Sequence, residues 1–104
     1  MNDVAAAAGV ALTTDLSHDE AIPYFLWDEP MTMRDLRQRL ERSEGERIRL
    51  LGKILREARD TDVWLFTTVQ EVDRRWDQLE RYLGRRRDFW RFLLDSWREL
   101  GLLS

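Results

Sequence analysis

Beyond residue 32, apolar residues recur at spacings of three and four, and that spacing predicts a succession of helices. The first covers residues 33–42, where Met33, Leu36 and Leu40 share a face and Thr32 stands as N-cap with Asp35 three residues on. Ser43-Glu44-Gly45-Glu46 is a capping-box pattern that opens a second helix. That helix runs to about residue 59 on a stripe of Ile48, Leu51, Ile54, Leu55 and Ala58. Gly52 inside it costs roughly 1 kcal/mol against Ala, which is tolerable where a neighbouring helix comes close. Asp60-Thr61-Asp62 interrupts the pattern, and Val63-Trp64-Leu65-Phe66 reads as a single helical turn.

Thr67 or Thr68 caps a third helix, with Glu71 completing a box for Thr68. Its seam is Val69, Val72, Trp76, Leu79 and Leu83, and Gly84 follows as the glycine that ends it. A fourth helix, about residues 86–100, carries Phe89, Phe92, Leu93, Trp97 and Leu100 on one face, widened by Trp90 and Leu94, with Gly101 closing it. Trp64, Trp76, Trp90 and Trp97 fall on or beside these stripes and read as core. The expectation is an all-α fold, a compact bundle of about four short helices whose short connections make neighbours antiparallel.

The N-terminal third reads differently. Residues 1–21 lack periodicity, are rich in small residues, and are expected to form a disordered arm. Residues 22–30 form an extended aromatic segment, because Pro23 and Pro30 bias their preceding residues away from helix. The helical domain then spans residues 31–104. Residues 1–30 hold six acidic residues and no Lys or Arg, whereas the remainder holds all seventeen basic residues against fourteen acidic ones. Arm and body therefore attract, either within one molecule or across an interface. The run Tyr24-Phe25-Leu26-Trp27 either folds back onto the helical body or inserts into a partner. Sixteen of the basic residues are Arg, as a GC-rich genome would give, or as an interface using bidentate carboxylate pairing would.

Candidate chemistry is sparse. There is no Cys, the single His18 lies in the arm, and no nucleophile has a base at readable spacing. The chain is expected to be no enzyme, with no cofactor and no metal site. Asp60 and Asp62 are read as a helix end and a cap, since the glycines and further carboxylates of a phosphoryl-transfer site are missing. The apolar run at residues 4–12 follows an acidic start and is short, and no segment nears the ~20 apolar residues of a membrane span. The expectation is a cytoplasmic protein with no membrane partner.

Arg85, Arg86 and Arg87 open the fourth helix, whose positive dipole end disfavours cations. Such placement fits a phosphate, an RNA backbone or an acidic partner surface. It fits equally with solvated side chains, or with pairing to Asp88 and the acidic arm. Partner-binding residues are thus expected to be Tyr24, Phe25, Leu26 and Trp27 as hydrophobic anchors, Asp28 and Glu29 as charges, and Arg85, Arg86 and Arg87. Nucleic acid is a weaker expectation, because the body has an excess of only three positive charges.

Four stretches together carry a resemblance. They are Ile22-Pro23-Tyr24-Phe25-Leu26-Trp27-Asp28, the run from Leu50 to Asp60 (LLGKILREARD), Asp62-Val63-Trp64, and Leu83-Gly84-Arg85-Arg86-Arg87-Asp88-Phe89-Trp90 with Trp97. Across roughly residues 22–103 the chain resembles small uncharacterised bacterial helical proteins encoded beside abortive-infection-type nucleotidyltransferase toxins. That resemblance implies an antitoxin that binds and silences a nucleotidyltransferase. The alternatives from composition alone are a small nucleic-acid-binding transcriptional regulator and a structural or oligomerisation module built on the Val69–Leu83 seam.

Overall fold

The structure, a computed structural model, describes residues 11–103. Residues 1–10 of the arm expected to be disordered lie outside the described residues. The chain divides into two compact units, the first ending at Arg42 and the second beginning at Ser43.

In the first unit Leu12–Thr13 (β1) pairs in parallel with Ile22–Pro23 (β2), two residues to a strand. The fold is therefore mostly helical and not strictly all-α. Local bonds order the connection between the strands, in the manner of side chains that mimic backbone turns. Thr13 Oγ1 accepts the Asp15 N–H at 3.0 Å, and the Asp15 carboxylate accepts the Ser17 N–H and hydroxyl at 3.1 and 2.6 Å. Tyr24–Leu26 forms a 3-10 turn rather than extended chain, and α1 follows at Met33–Leu40.

The start of α1 explains why the unit boundary falls after this helix and not at residue 30. A helix leaves its first N–H groups without internal partners. Here the carbonyls of Ala21 and Asp19 accept the Met33 and Arg34 N–H groups at 2.8 and 3.0 Å, and Thr32 Oγ1 accepts that of Asp35. The charges agree. Arg34 pairs with Glu20 and Asp19, Arg37 with Asp19, and Arg39 with Glu29. The opposite-sign attraction read from the sequence is thus satisfied inside this unit, where Leu16, Phe25, Leu26, Met31, Met33, Leu36 and Leu40 are buried.

The second unit contains α2 (Glu44–Glu57), α3 (Asp60–Val63), α4 (Val69–Arg74), α5 (Trp76–Leu79), 3-10 turns at Glu80–Tyr82 and Gly84–Arg86, and α6 (Arg87–Glu99). Ser43 and Thr68 cap α2 and α4 as their spacing predicts, accepting the N–H groups of Glu46 and Glu71 at 3.2 and 3.1 Å. The single turn expected at residues 63–66 lies earlier. Asp60 and Asp62 stand within α3 rather than flanking a break, where acidic residues suit the positive end of the helix.

The third helix of the sequence reading is not continuous. It breaks at Arg75 (φ −99°, ψ 13°), whose N–H reaches back to Asp73 and Glu71 carbonyls while its guanidinium binds Glu71 and Glu44. The remainder of the seam passes through α5 and tight 3-10 turns, so among the described residues six α-helices replace the expected four. Gly84 does take a positive φ, of 53°.

Helix α2 touches α3, α5 and both 3-10 turns. Gly52 is the point of closest approach, since a Cβ there would stand 2.5 Å from the Cβ of Tyr82. Gly52→Ala should therefore lose about 1–3 kcal/mol through overpacking, overriding the gain in helix propensity. Thermal melts followed by circular dichroism should show part of that loss recovered in Gly52→Ala combined with Tyr82→Ala.

Candidate functional site

Helix α6 carries seven apolar residues among its thirteen and the following Leu100, more than one packed face can cover. The structure buries Trp90 and Leu94 and leaves Phe92 67% and Leu100 72% exposed, with Phe89 also exposed and Leu93 and Trp97 half-buried. The stripe that reads as core in the sequence is thus the outer one, and the residues that only widened it make the buried contact. At 100° per residue, Phe89, Phe92, Leu93, Ser96 and Leu100 share one face. Buried Trp90 and Leu94 lie round the cylinder from it.

Both ends of this helix are firmly built. The Trp90 indole N–H donates to the Leu55 carbonyl at 2.8 Å, satisfying one of the carbonyls that the end of α2 leaves unpaired. At the other end Gly101 takes φ 80°, the Leu102 N–H reaches the Trp97 carbonyl at 2.8 Å, and the Gly101 N–H reaches that of Arg98 at 3.1 Å. This double bond pattern is a Schellman closure, for which a glycine at that position is required. Trp64 extends the apolar surface sideways, standing edge-on to Trp90 and Trp97 at 5.7 and 6.0 Å between ring centres while itself exposed. Leu65 and Leu102 are exposed as well.

The charged border of the face is uneven. Asp88, Asp95 and Glu99, spaced by seven and four, fall on one flank and are all exposed. The cations on the same helix are engaged within the chain, Arg91 with Asp95 at 3.5 Å and over the Trp76 ring, and Arg98 with Asp73. The result is a solvated apolar stripe whose acidic edge is partly paired, Asp88 with Arg87 at 3.3 Å and Asp95 with Arg91 at 3.5 Å.

The residues expected from sequence to bind a partner are placed in two separate units. In the first, Phe25 and Leu26 are buried, Tyr24 is half-buried and edge-on to Phe25 at 5.3 Å, and only Trp27, 60% exposed, projects as an anchor would. Burial of Phe25 and Leu26 leaves them nothing to offer another molecule without unfolding. Asp28 is exposed, and Glu29 lies 3.9 Å from Arg39.

In the second unit the three arginines do not act as one patch. Arg87 is held by Glu80 at 2.7 Å and by Asp88 at 3.3 Å. Arg86 donates to the Ala58 carbonyl at 3.2 Å and lies over the rings of Phe89 and Trp90. Arg85 is exposed and makes no ion pair among the described residues.

Among the described residues no group of three or more His, Asp and Glu side chains comes together to hold a metal, and no helix is long and apolar enough to cross a membrane. Compared with known protein families, characterised proteins and solved structures, the chain matches none. Function has to be argued from its own surfaces.

Proposed function

We propose that this chain is a non-catalytic protein-binding module that docks its partner on the outer face of α6. One observation carries the reading: Phe92 and Leu100 stand 67% and 72% exposed on a helix anchored by a buried Trp hydrogen bond and a Schellman closure. A rigid helix that holds large apolar side chains in water is a surface made for covering. Burying each such side chain is worth about 1.5–3 kcal/mol.

The acidic flank narrows the occupant to an apolar helix or groove bordered by basic residues, since complementary charge sets orientation and excludes wrong partners. A second copy of this chain fits less well. Two α6 helices packed antiparallel about a two-fold axis would set Asp88, Asp95 and Glu99 against their own counterparts.

The resemblance noted across residues 22–103 supplies a partner of the right chemistry. A nucleotidyltransferase offers a basic groove for phosphates and an RNA end, so the chain would act as an antitoxin-like inhibitor. A nucleic-acid-binding regulator has less support, because residues 31–104 carry an excess of only three positive charges and Arg87 is held by Glu80.

Replacing Phe92 and Leu100 together by Asp should weaken binding to a nucleotidyltransferase of the proposed partner class by at least about 100-fold. Circular dichroism should be unchanged, because neither side chain is part of the core. Undiminished binding by the double variant, or a dimer of the free protein that the variant abolishes, would contradict the proposal.

A further inference from the structure

Behind the turn that leads into α6 lies a depression of about 540 Å³ lined by Arg56, Glu57, Gly84, Arg85 and Arg86. Three arginines and one glutamate line it, an excess of two positive charges. The geometry points to a binding site for a phosphate group carried on a small molecule of up to nucleotide size.

Two of the three arginines are set in place by the backbone. Arg56 donates from Nη1 to the Tyr82 carbonyl at 3.0 Å and from Nε to Glu57 at 2.9 Å, and Arg86 donates from Nη1 to the Ala58 carbonyl at 3.2 Å. A guanidinium has five N–H donors, so each keeps others for a ligand after these bonds are made. Anchored donors lose little side-chain freedom when a ligand arrives, which is what makes a preorganised site effective. Arg85 is the exposed third member and has no ion pair among the described residues.

Gly84 turns the backbone at the rim of the depression with φ 53°, and a Cβ there would rest in ordinary van der Waals contact with Arg56 Cδ at 3.7 Å. The charge excess selects an anion, and the planar forks of Arg select phosphate or carboxylate oxygens. A volume of about 540 Å³ has room for a substituted phosphate as well as for a bare ion. This site adjoins the outer face of α6 through Arg86, which lies over Phe89, but does not depend on the docking reading.

Titration of the full chain with AMP, with inorganic phosphate and with adenosine, followed by amide shifts in NMR at low ionic strength, tests the assignment. AMP should shift Gly84–Arg86 with a saturable midpoint and adenosine should not. Weaker saturation by inorganic phosphate would assign the ester as ligand, and equal saturation would assign free phosphate to the same site. Arg85→Ala should weaken binding about tenfold or more with an unchanged melting temperature. Arg74→Ala, an exposed arginine elsewhere in the unit, should leave binding as it was. Shifts scattered over all arginines, or binding untouched by Arg85→Ala, would overturn the proposal.

Discussion

Trp90→Ala should bring the second unit close to unfolding, with an expected loss of about 3–5 kcal/mol. Trp90 is fully buried, stands edge-on to Trp64 and Phe89 at 5.7 and 5.2 Å, and lies under the Arg86 guanidinium. Truncation removes the largest buried side chain in the unit and leaves a cavity that the surrounding structure closes only in part. It also strands the Leu55 carbonyl, which accepts the indole N–H at 2.8 Å. Trp90→Phe separates these contributions. It keeps an aromatic ring but not the donor, and should cost about 1–3 kcal/mol for the unpaired carbonyl. Urea unfolding followed by circular dichroism should rank wild type above Trp90→Phe and Trp90→Phe above Trp90→Ala. Since small domains hold only about 5–15 kcal/mol in all, the Ala variant should already unfold at low denaturant. Equal losses in the two variants would show that the hydrogen bond, and not packing, dominates.

A loss of about 3 kcal/mol at neutral pH is expected for Glu71→Gln. Glu71 is buried at the meeting of α2 and α4 and carries an unusual load of donors. Arg47 binds it through two parallel bonds of 2.7 Å each, Thr67 Oγ1 donates at 2.6 Å, and Arg75 Nε donates at 2.9 Å. Arg75 also reaches Glu44 at 2.6 Å, closing a chain of charges across the two helices. The bond from Arg47, more than any other group, holds the Glu71 carboxyl down at about 2, from an ordinary value of 4.5, against the opposing effect of its burial.

A depressed carboxyl pKa fixes the sign of the pH dependence. The folded state prefers the ionised form more than the unfolded chain does, so the stabilisation is complete above about 4.5 and is lost as pH falls towards about 2. The difference in unfolding free energy between wild type and Glu71→Gln should be largest at pH 7 and shrink steadily below pH 4.5. A difference that stays constant down to pH 2 would place the effect in packing and not in charge.

Much of the local structure can be read from residue order. Thr32, Ser43 and Thr68 act as caps because a hydroxyl three residues ahead of a free N–H is a purely local arrangement. Gly52 announced a close neighbour, and Gly84 and Gly101 announced positive φ, because each is costly or pointless otherwise.

What the sequence hides is whatever depends on distant partners. Nothing near Arg75 foretells the break there, because the ties to Glu44 span thirty-one residues. The attachment of residues 19–21 to α1 rests partly on charge pairs that the sequence announces and partly on backbone carbonyls, which leave no mark on composition. Helix α6 is the main misreading. Phe89, Phe92, Leu93, Trp97 and Leu100 have the spacing of a core stripe, but Trp90 and Leu94 beside them have an equally good one. With apolar residues over so wide an arc, periodicity identifies a helix without saying which half is covered. Likewise Phe25 and Leu26, conspicuous in an acidic arm, are conspicuous because they are buried in their own unit.

The contest between arm and helix as the contact surface can be decided by one measurement. A photoreactive side chain placed at position 92 of α6, or at position 27 of the arm where Trp27 remains exposed, would be irradiated in the complex with a nucleotidyltransferase, the partner class proposed above. Cross-linking from position 92, with position 27 silent, is the result expected of a module that binds through its last helix. Cross-linking from position 27 alone would contradict it and return the partner contact to the acidic arm.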